Sequence, residues 1–218
     1  MQYSVKSSLL CKVAPINAIK SDSFPTLILL HGRGADENDL LSLAPYLDPR
    51  LLVLSVRAPF AFPMGGYTWY EILQVGKPEE GQFKESYELL RNFLGDIKKQ
   101  LPVNPNQVYL LGFSMGSMMS YALALTKPTE IKGVVAHSGY IPEETELHYS
   151  WNNLRNSSFL VAHGTFDPVI PVQLGRRAKE LLSKTEASLT YKEYPIGHNI
   201  SEESLHDLAA WLQQQLQT

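Results

Sequence analysis

The sequence predicts an α/β fold, a mostly parallel sheet with helices on both faces. Three observations carry that reading. Short strand-like runs alternate with helical patterns along the chain. Most of the runs are apolar throughout, as strands covered on both faces must be, whereas a sheet with one wet face would alternate. No internal repeat, low-complexity block or Gly/Ser-rich linker divides the 218 residues, a length that suits one domain over 1–218.

In chain order, the strand-like runs are 26–30, 51–56, 108–111, 133–136, 159–162 and 189–194. The first, Thr26-Leu-Ile-Leu-Leu30, has no polar position after its opening residue. Between the second and third runs, Phe83, Tyr87, Leu90, Leu94, Ile97 and Leu101 recur every three or four residues. That spacing lays one apolar stripe along a long helix and turns Glu85, Glu88, Arg91 and Lys98 away from it. Residues 115–125 are almost wholly apolar, as for a helix buried in the middle of a domain. Leu205, Leu208, Ala209, Leu212 and Leu216 mark a last amphipathic helix, with Asn199 and Ser201 as candidate caps at its entry.

Composition narrows the class. With 44% hydrophobic and 19% charged residues the chain can bury a core, which excludes a disordered tail, a collagen-like chain and a highly charged coiled coil. Nineteen Lys+Arg against 22 Asp+Glu leave a net charge of −3, so no nucleic-acid partner is expected. The one cysteine, Cys11, excludes an intrachain disulfide and a multi-cysteine zinc site, and reads as a small buried apolar residue. No run reaches the ~18 consecutive apolar residues of a membrane span. The opening segment from Met1 to Cys11 lacks the charged start and apolar stretch of a signal peptide.

In sheets of this kind chemistry sits at the carboxyl ends of the strands. Leu110-Leu-Gly112-Phe-Ser114-Met-Gly116 leaves a buried strand and enters an apolar helix, the context that makes G-x-S-x-G a nucleophile elbow. The turn strains the serine backbone and lifts its hydroxyl above the sheet, while the glycines keep side chains from colliding. The plainer alternative is a turn serine between two packing glycines. A serine hydroxyl needs a base to act as a nucleophile near neutral pH. His198, in Gly197-His198-Asn after the last strand, is the best placed; His206 lies within a helix and His148 in a polar loop. The imidazole in turn needs a carboxylate, and Asp167 follows the strand 159–162. Other acids lie on helix faces or in the run Glu143-Glu-Thr-Glu146. The order Ser114, Asp167, His198 is that of α/β-hydrolases.

Leaving the first strand, His31-Gly32-Arg33-Gly34-Ala-Asp36 suits the second oxyanion donor, the Arg33 backbone N–H, beside that of Met115. Its alternative is a phosphate-binding loop, but neither G-x-G-x-x-G nor G-x-x-x-x-G-K-[ST] is present. His31 and His163 each precede a glycine and read as buried residues that shape their loops. No metal-binding spacing such as H-E-x-x-H occurs, so no metal is expected.

These motifs, together with His163-Gly-Thr-Phe-Asp-Pro-Val-Ile-Pro171 and Gly197-His-Asn-Ile200, resemble the phospholipase/carboxylesterase family of α/β-hydrolases, which includes acyl-protein thioesterases and small bacterial carboxylesterases. The resemblance implies Ser114, Asp167 and His198 as the triad, Arg33 and Met115 as oxyanion donors, no cofactor, and a homodimer. This chain departs from the family in having Met115 where many members carry glutamine, and Trp69-Tyr70-Glu71 where Trp-Phe-Asp is familiar.

Only 21 residues, 138–158, separate two of the strands, too few for a large cap domain, so an open site is expected. The aromatic, Gly- and Pro-containing stretch 58–70 reads as a loop across the pocket, with Trp69, Tyr67 and Met64 meeting the acyl or alcohol part of an uncharged ester. The expected function is therefore a serine hydrolase acting on carboxylic esters or thioesters of small to medium acyl groups. The alternatives are a preference for lysophospholipid or thioester, a non-catalytic binding protein on the same fold, and a cofactor-free peroxidase or dioxygenase relative. Asn156 and Asn199 are both N-x-S/T sequons. A glycan on Asn199 would obstruct His198, which favours a cytoplasmic location.

Overall fold

The six strand-like runs all become strands, and they meet with one further strand in a seven-stranded sheet. The computed structural model describes residues 5–14, 23–74 and 76–217, so the first four residues of the opening segment lie outside it. The sheet strands are β1 (Cys11–Val13), β2 (Phe24–Leu30), β3 (Leu52–Val56), β4 (Val103–Phe113), β5 (Gly133–His137), β6 (Ser158–Gly164) and β7 (Ser188–Tyr194). Their spatial order is β1-β3-β2-β4-β5-β6-β7. All neighbours are parallel except β1, which runs antiparallel to β3 with Cys11 opposite Val56.

The helices are α1 (Glu80–Gln100), α2 (Met115–Thr126), α3 (Val172–Leu182) and α4 (Glu202–Gln215). Strand alternation assigns them to faces. Ile28, Leu30, Leu110, Val134 and Val161 face a core shared with α1, α2 and α3. Leu27, Leu29, Leu111, Val135 and Leu160 face a second core, closed by Leu208, Trp211 and Leu212 of α4 and by the 3₁₀ segment Leu40–Tyr46. Because consecutive strand residues feed different cores, both positions are mostly apolar. This is why the strands carry no alternation.

Helix ends follow the chemistry of their sequences. Glu79 caps α1 by accepting from the N–H groups of Gly81 and Gln82. Ser201 caps α4 in a capping box with Ser204, so of the two expected caps it is Ser201 that serves. The wholly apolar α2 lies under α1 and against the central strands, covered on all sides.

Three features lie outside the elements expected from the sequence. β1 is a three-residue, half-exposed edge strand. α3 buries Val172, Gly175, Ala178 and Leu182, and its apolar residues recur at clear helical spacing along 172–182. The stretch 58–70 is not an irregular loop, since Phe60–Ala61 and Tyr67–Thr68 pair as an antiparallel hairpin. Segment 138–158 holds one short 3₁₀ turn, Trp151–Asn153. Cys11 is only partly buried, yet its surroundings push the thiol up to about 12 through desolvation, so it stays protonated and unreactive. Among the described residues no helix is long and apolar enough to cross a membrane.

Candidate active site

At the β4–α2 turn Ser114 takes φ 54° and ψ −119°, a conformation that L-residues rarely adopt. Close packing imposes it. A Cβ on Gly112 would overlap the Gly116 carbonyl, and one on Gly116 would overlap the carbonyl oxygen of Leu30 in β2. The Ser114 N–H donates to the His137 carbonyl at 2.9 Å, and the Ser117 hydroxyl donates to the carbonyls of Gly112 at 2.6 Å and His137 at 2.9 Å. The elbow is thus tied to β5 as well as to its own strand.

Three strand exits bring their side chains together. His198 Nε2 lies 2.9 Å from Ser114 Oγ, and His198 Nδ1 lies 2.7 Å from Asp167 Oδ2. Since the carboxylate can only accept, Nδ1 carries the proton and Nε2 keeps a lone pair facing the serine hydroxyl. Asp167 Oδ1 accepts from the N–H groups of Val169 at 2.9 Å and Ile170 at 2.8 Å. Burial alone would raise the Asp167 pKa, but the hydrogen bonds from His198, Ile170 and Val169 outweigh it and hold the carboxyl below its ordinary value. The ring of Phe113 packs on that of His198 with centroids 4.9 Å apart. The other candidate bases, His148 and His206, are exposed.

Three further histidines are buried and neutral. His163 donates Nε2–H to the Ile170 carbonyl at 2.9 Å, which steadies the turn that carries Asp167. His137 lies under the elbow, stacked on Tyr194, and desolvation lowers its pKa to about 3. Desolvation also lowers those of His31 and His163. Among the described residues no group of three or more His, Cys, Asp or Glu side chains is placed to hold a metal.

The Arg33 loop is held from outside. His31 Nδ1–H donates to the Gly32 carbonyl at 2.7 Å, and His31 Nε2 accepts from the Ala58 N–H at 3.0 Å. Trp69 Nε1–H donates to the His31 carbonyl at 2.9 Å, with its ring 5.7 Å from the imidazole. Gly34 N–H donates to the Tyr67 carbonyl and Tyr67 N–H to the Ala35 carbonyl, both at 2.8 Å. The Arg33 guanidinium pairs with Glu71 at 2.6 Å and lies over the Phe62 ring. Meanwhile the backbone N–H groups of Arg33 and Met115 have no hydrogen-bond partner among the described residues.

This changes the reading of the 58–70 stretch. Trp69 is fully buried, with its carbonyl accepting from the Ser86 hydroxyl, and it forms no pocket wall. Tyr67 lies under the Arg57 guanidinium, which also donates to its hydroxyl at 3.0 Å and grips Glu37 with two bonds of 2.6 and 2.8 Å. Met64 stands at the hairpin tip, 88% exposed. An aromatic, glycine-rich segment looks alike in sequence whether it covers a ligand or a neighbouring loop, and here it covers the loop.

Strand order, the strained serine at a strand-to-helix turn, and reactive groups gathered at the carboxyl edge define an α/β-hydrolase. The particular family follows from comparison of sequences: the chain belongs to the phospholipase/carboxylesterase family, whose sequence model matches residues 12–216, and so to the ester hydrolases. An acyl-protein thioesterase 1 from Candida albicans is 28% identical, covering 90% of this chain and 94% of that protein. A probable carboxylesterase SOBER1-like from Arabidopsis thaliana is 29% identical over 69% of this chain and 60% of its own length. The crystal structure of the Bacillus cereus carboxylesterase superposes with a TM-score of 0.84 at 26% identity, covering 95% of this chain and 94% of that one.

Proposed function

We propose that the protein hydrolyses carboxylic esters or thioesters of small to medium acyl groups through an acyl-enzyme, with Ser114 as nucleophile. The reading rests on one observation, the continuous hydrogen-bonded path from Ser114 Oγ through both ring nitrogens of His198 to Asp167. Ser114 Oγ attacks the carbonyl carbon as Nε2 takes its proton. The carbonyl oxygen becomes an oxyanion, for which the free N–H groups of Arg33 and Met115 are the available donors. The imidazolium then protonates the departing oxygen or sulfur, leaving the acyl group on Ser114. Water, deprotonated by the same ring, attacks the acyl-enzyme, and Nε2–H returns a proton to Ser114 as the acid leaves. Asp167 stays ionised throughout and fixes the tautomer.

Support for the thioester arm comes from the thioesterase relatives, and for the oxygen-ester arm from the carboxylesterase ones. A panel of p-nitrophenyl esters, matched thioesters and lysophospholipids separates these preferences. Ser114→Ala is expected to lower kcat by on the order of 10⁶, as loss of a nucleophile does in other serine hydrolases. A correctly folded Ser114→Ala with full activity would overturn the proposal. The sequon at Asn199, next to the proposed base, supports a cytoplasmic setting in which it stays unglycosylated.

A further inference from the structure

A cleft of about 260 Å³ opens beside His198, walled by Leu40, Leu43, Phe113 and Ile200, with Asp39, Ser42 and Asn199 as its polar lining. We infer that this cleft seats the alcohol or thiol half of the substrate, and that it selects an uncharged, apolar leaving group. The inference rests on the proposed hydrolysis and extends it to the side of the substrate that departs.

The direction follows from proton transfer. The leaving oxygen must face His198 Nε2 to receive its proton, so the chain attached to it passes along the imidazole. The carbonyl oxygen is taken by the N–H groups of Arg33 and Met115, which do not border the cleft; of the reacting groups only His198 does, so the cleft is reached past the imidazole. Of the two substituents of the reacting carbon, the leaving group is therefore the one that can enter between the 3₁₀ segment Leu40–Tyr46 and the His198 loop.

Selection follows from the lining. Leu43, Phe113 and Ile200 are only partly buried, packed against the α4-side core with surface still free for a ligand. Apart from His198 the one ionisable group bordering the cleft is the Asp39 carboxyl; no lysine or arginine lines it. A phosphorylated or sulfonated leaving group would meet no lysine or arginine there and would be repelled by Asp39, while a short alkyl chain or a phenyl ring would bury apolar surface.

The test varies the two halves of the ester separately. With the acyl group fixed as butyryl, acid release in a pH-stat is measured for methyl, butyl and hexyl esters, and for phenyl butyrate against its 4-sulfonate. Wild type should gain at least about tenfold in kcat/KM from methyl to hexyl and reject the sulfonate by a similar factor. Leu43→Lys should erase the alkyl gain, and Asp39→Lys should narrow the rejection. In both variants the preference among methyl acetate, butyrate and hexanoate should stay as in wild type. Stoichiometric fluorophosphonate labelling of Ser114 shows that each variant is folded and reactive. A flat alkyl series in labelled wild-type enzyme would overturn the assignment, as would a labelled Leu43→Lys whose acyl preference moves while its alcohol preference does not. Absence of labelling in wild type would instead strike the serine mechanism itself.

Discussion

The two loops that flank the candidate reaction centre are held in opposite ways. The elbow at Ser114 is fixed by close backbone packing, as Gly112 and Gly116 permit contacts with each other and with Leu30 of β2 that any larger residue would block, and Ser117 ties the turn to Gly112 and to His137 of β5. The Arg33 loop is fixed from without, by Trp69 and Tyr67, residues more than thirty positions further along the chain. Each loop leaves one backbone N–H, that of Met115 or that of Arg33, without a hydrogen-bond partner among the described residues. The elbow is a steric necessity of backbone packed on backbone. The Arg33 loop is a tertiary construction, and its accuracy depends on how well a hairpin is seated.

The comparison is broken most severely at the elbow. Gly116→Ala should push the start of α2 away from Leu30, costing about 3 kcal/mol of stability and displacing the Met115 N–H. Activity should fall by at least the ~10²–10³ of a lost oxyanion donor. Urea unfolding together with steady-state kinetics checks both halves.

Trp69→Phe probes the outer clamp alone. It keeps an aromatic ring in the core but removes the donor to the His31 carbonyl, leaving that acceptor buried and unpaired, at a cost of about 1–3 kcal/mol. The Arg33 N–H loosens without any loss of substrate contact. kcat should therefore drop roughly tenfold to a hundredfold, less than outright loss of an oxyanion donor, with KM unchanged. A rise in KM or an altered substrate preference with kcat intact would return Trp69 to the pocket wall.

Acid bears on both regions, because His137 lies under the elbow and His31 inside the clamp. Their folded-state pKa values, together with that of His163, lie below the ordinary histidine value. Below about pH 6.5 the unfolded chain takes up protons that the folded one refuses, so stability falls with pH, for His137 by about 1.4 kcal/mol per unit. For His137 that slope persists down to about pH 3. The depressed Asp167 pKa acts in the same direction, its contribution being lost as pH falls below the ordinary aspartate value and through its own lowered one. Urea midpoints measured from pH 7 to 4 should show this slope, and His137→Gln should flatten it by about one proton.

What could be read from the sequence follows the same division. Six strands, the long α1 and the buried α2 were legible because each is specified by residues close together in the chain. So was the elbow, as a pattern of five residues, and the meeting of Ser114, His198 and Asp167 followed from their shared position at strand exits. The short β1 carries too few residues for a periodic signal, whereas α3 does carry one, with Val172, Ala178, Leu181 and Leu182 at helical spacing, and belongs with the legible elements. Gly175 is small for a reason visible only in three dimensions: a Cβ there would press on the His163 ring. The clamp was invisible for the same reason. Nothing near Trp69 in sequence records that its indole N–H ends on the His31 carbonyl.

If His198, oriented by Asp167, makes Ser114 a nucleophile, covalent labelling of Ser114 depends on both. Intact-mass measurement of wild type, His198→Ala and Asp167→Asn after exposure to a fluorophosphonate should show one adduct per wild-type chain, mapped to Ser114. Labelling should be abolished in His198→Ala and strongly slowed in Asp167→Asn. An unlabelled wild type, or a His198→Ala variant that labels at the wild-type rate, would contradict the account.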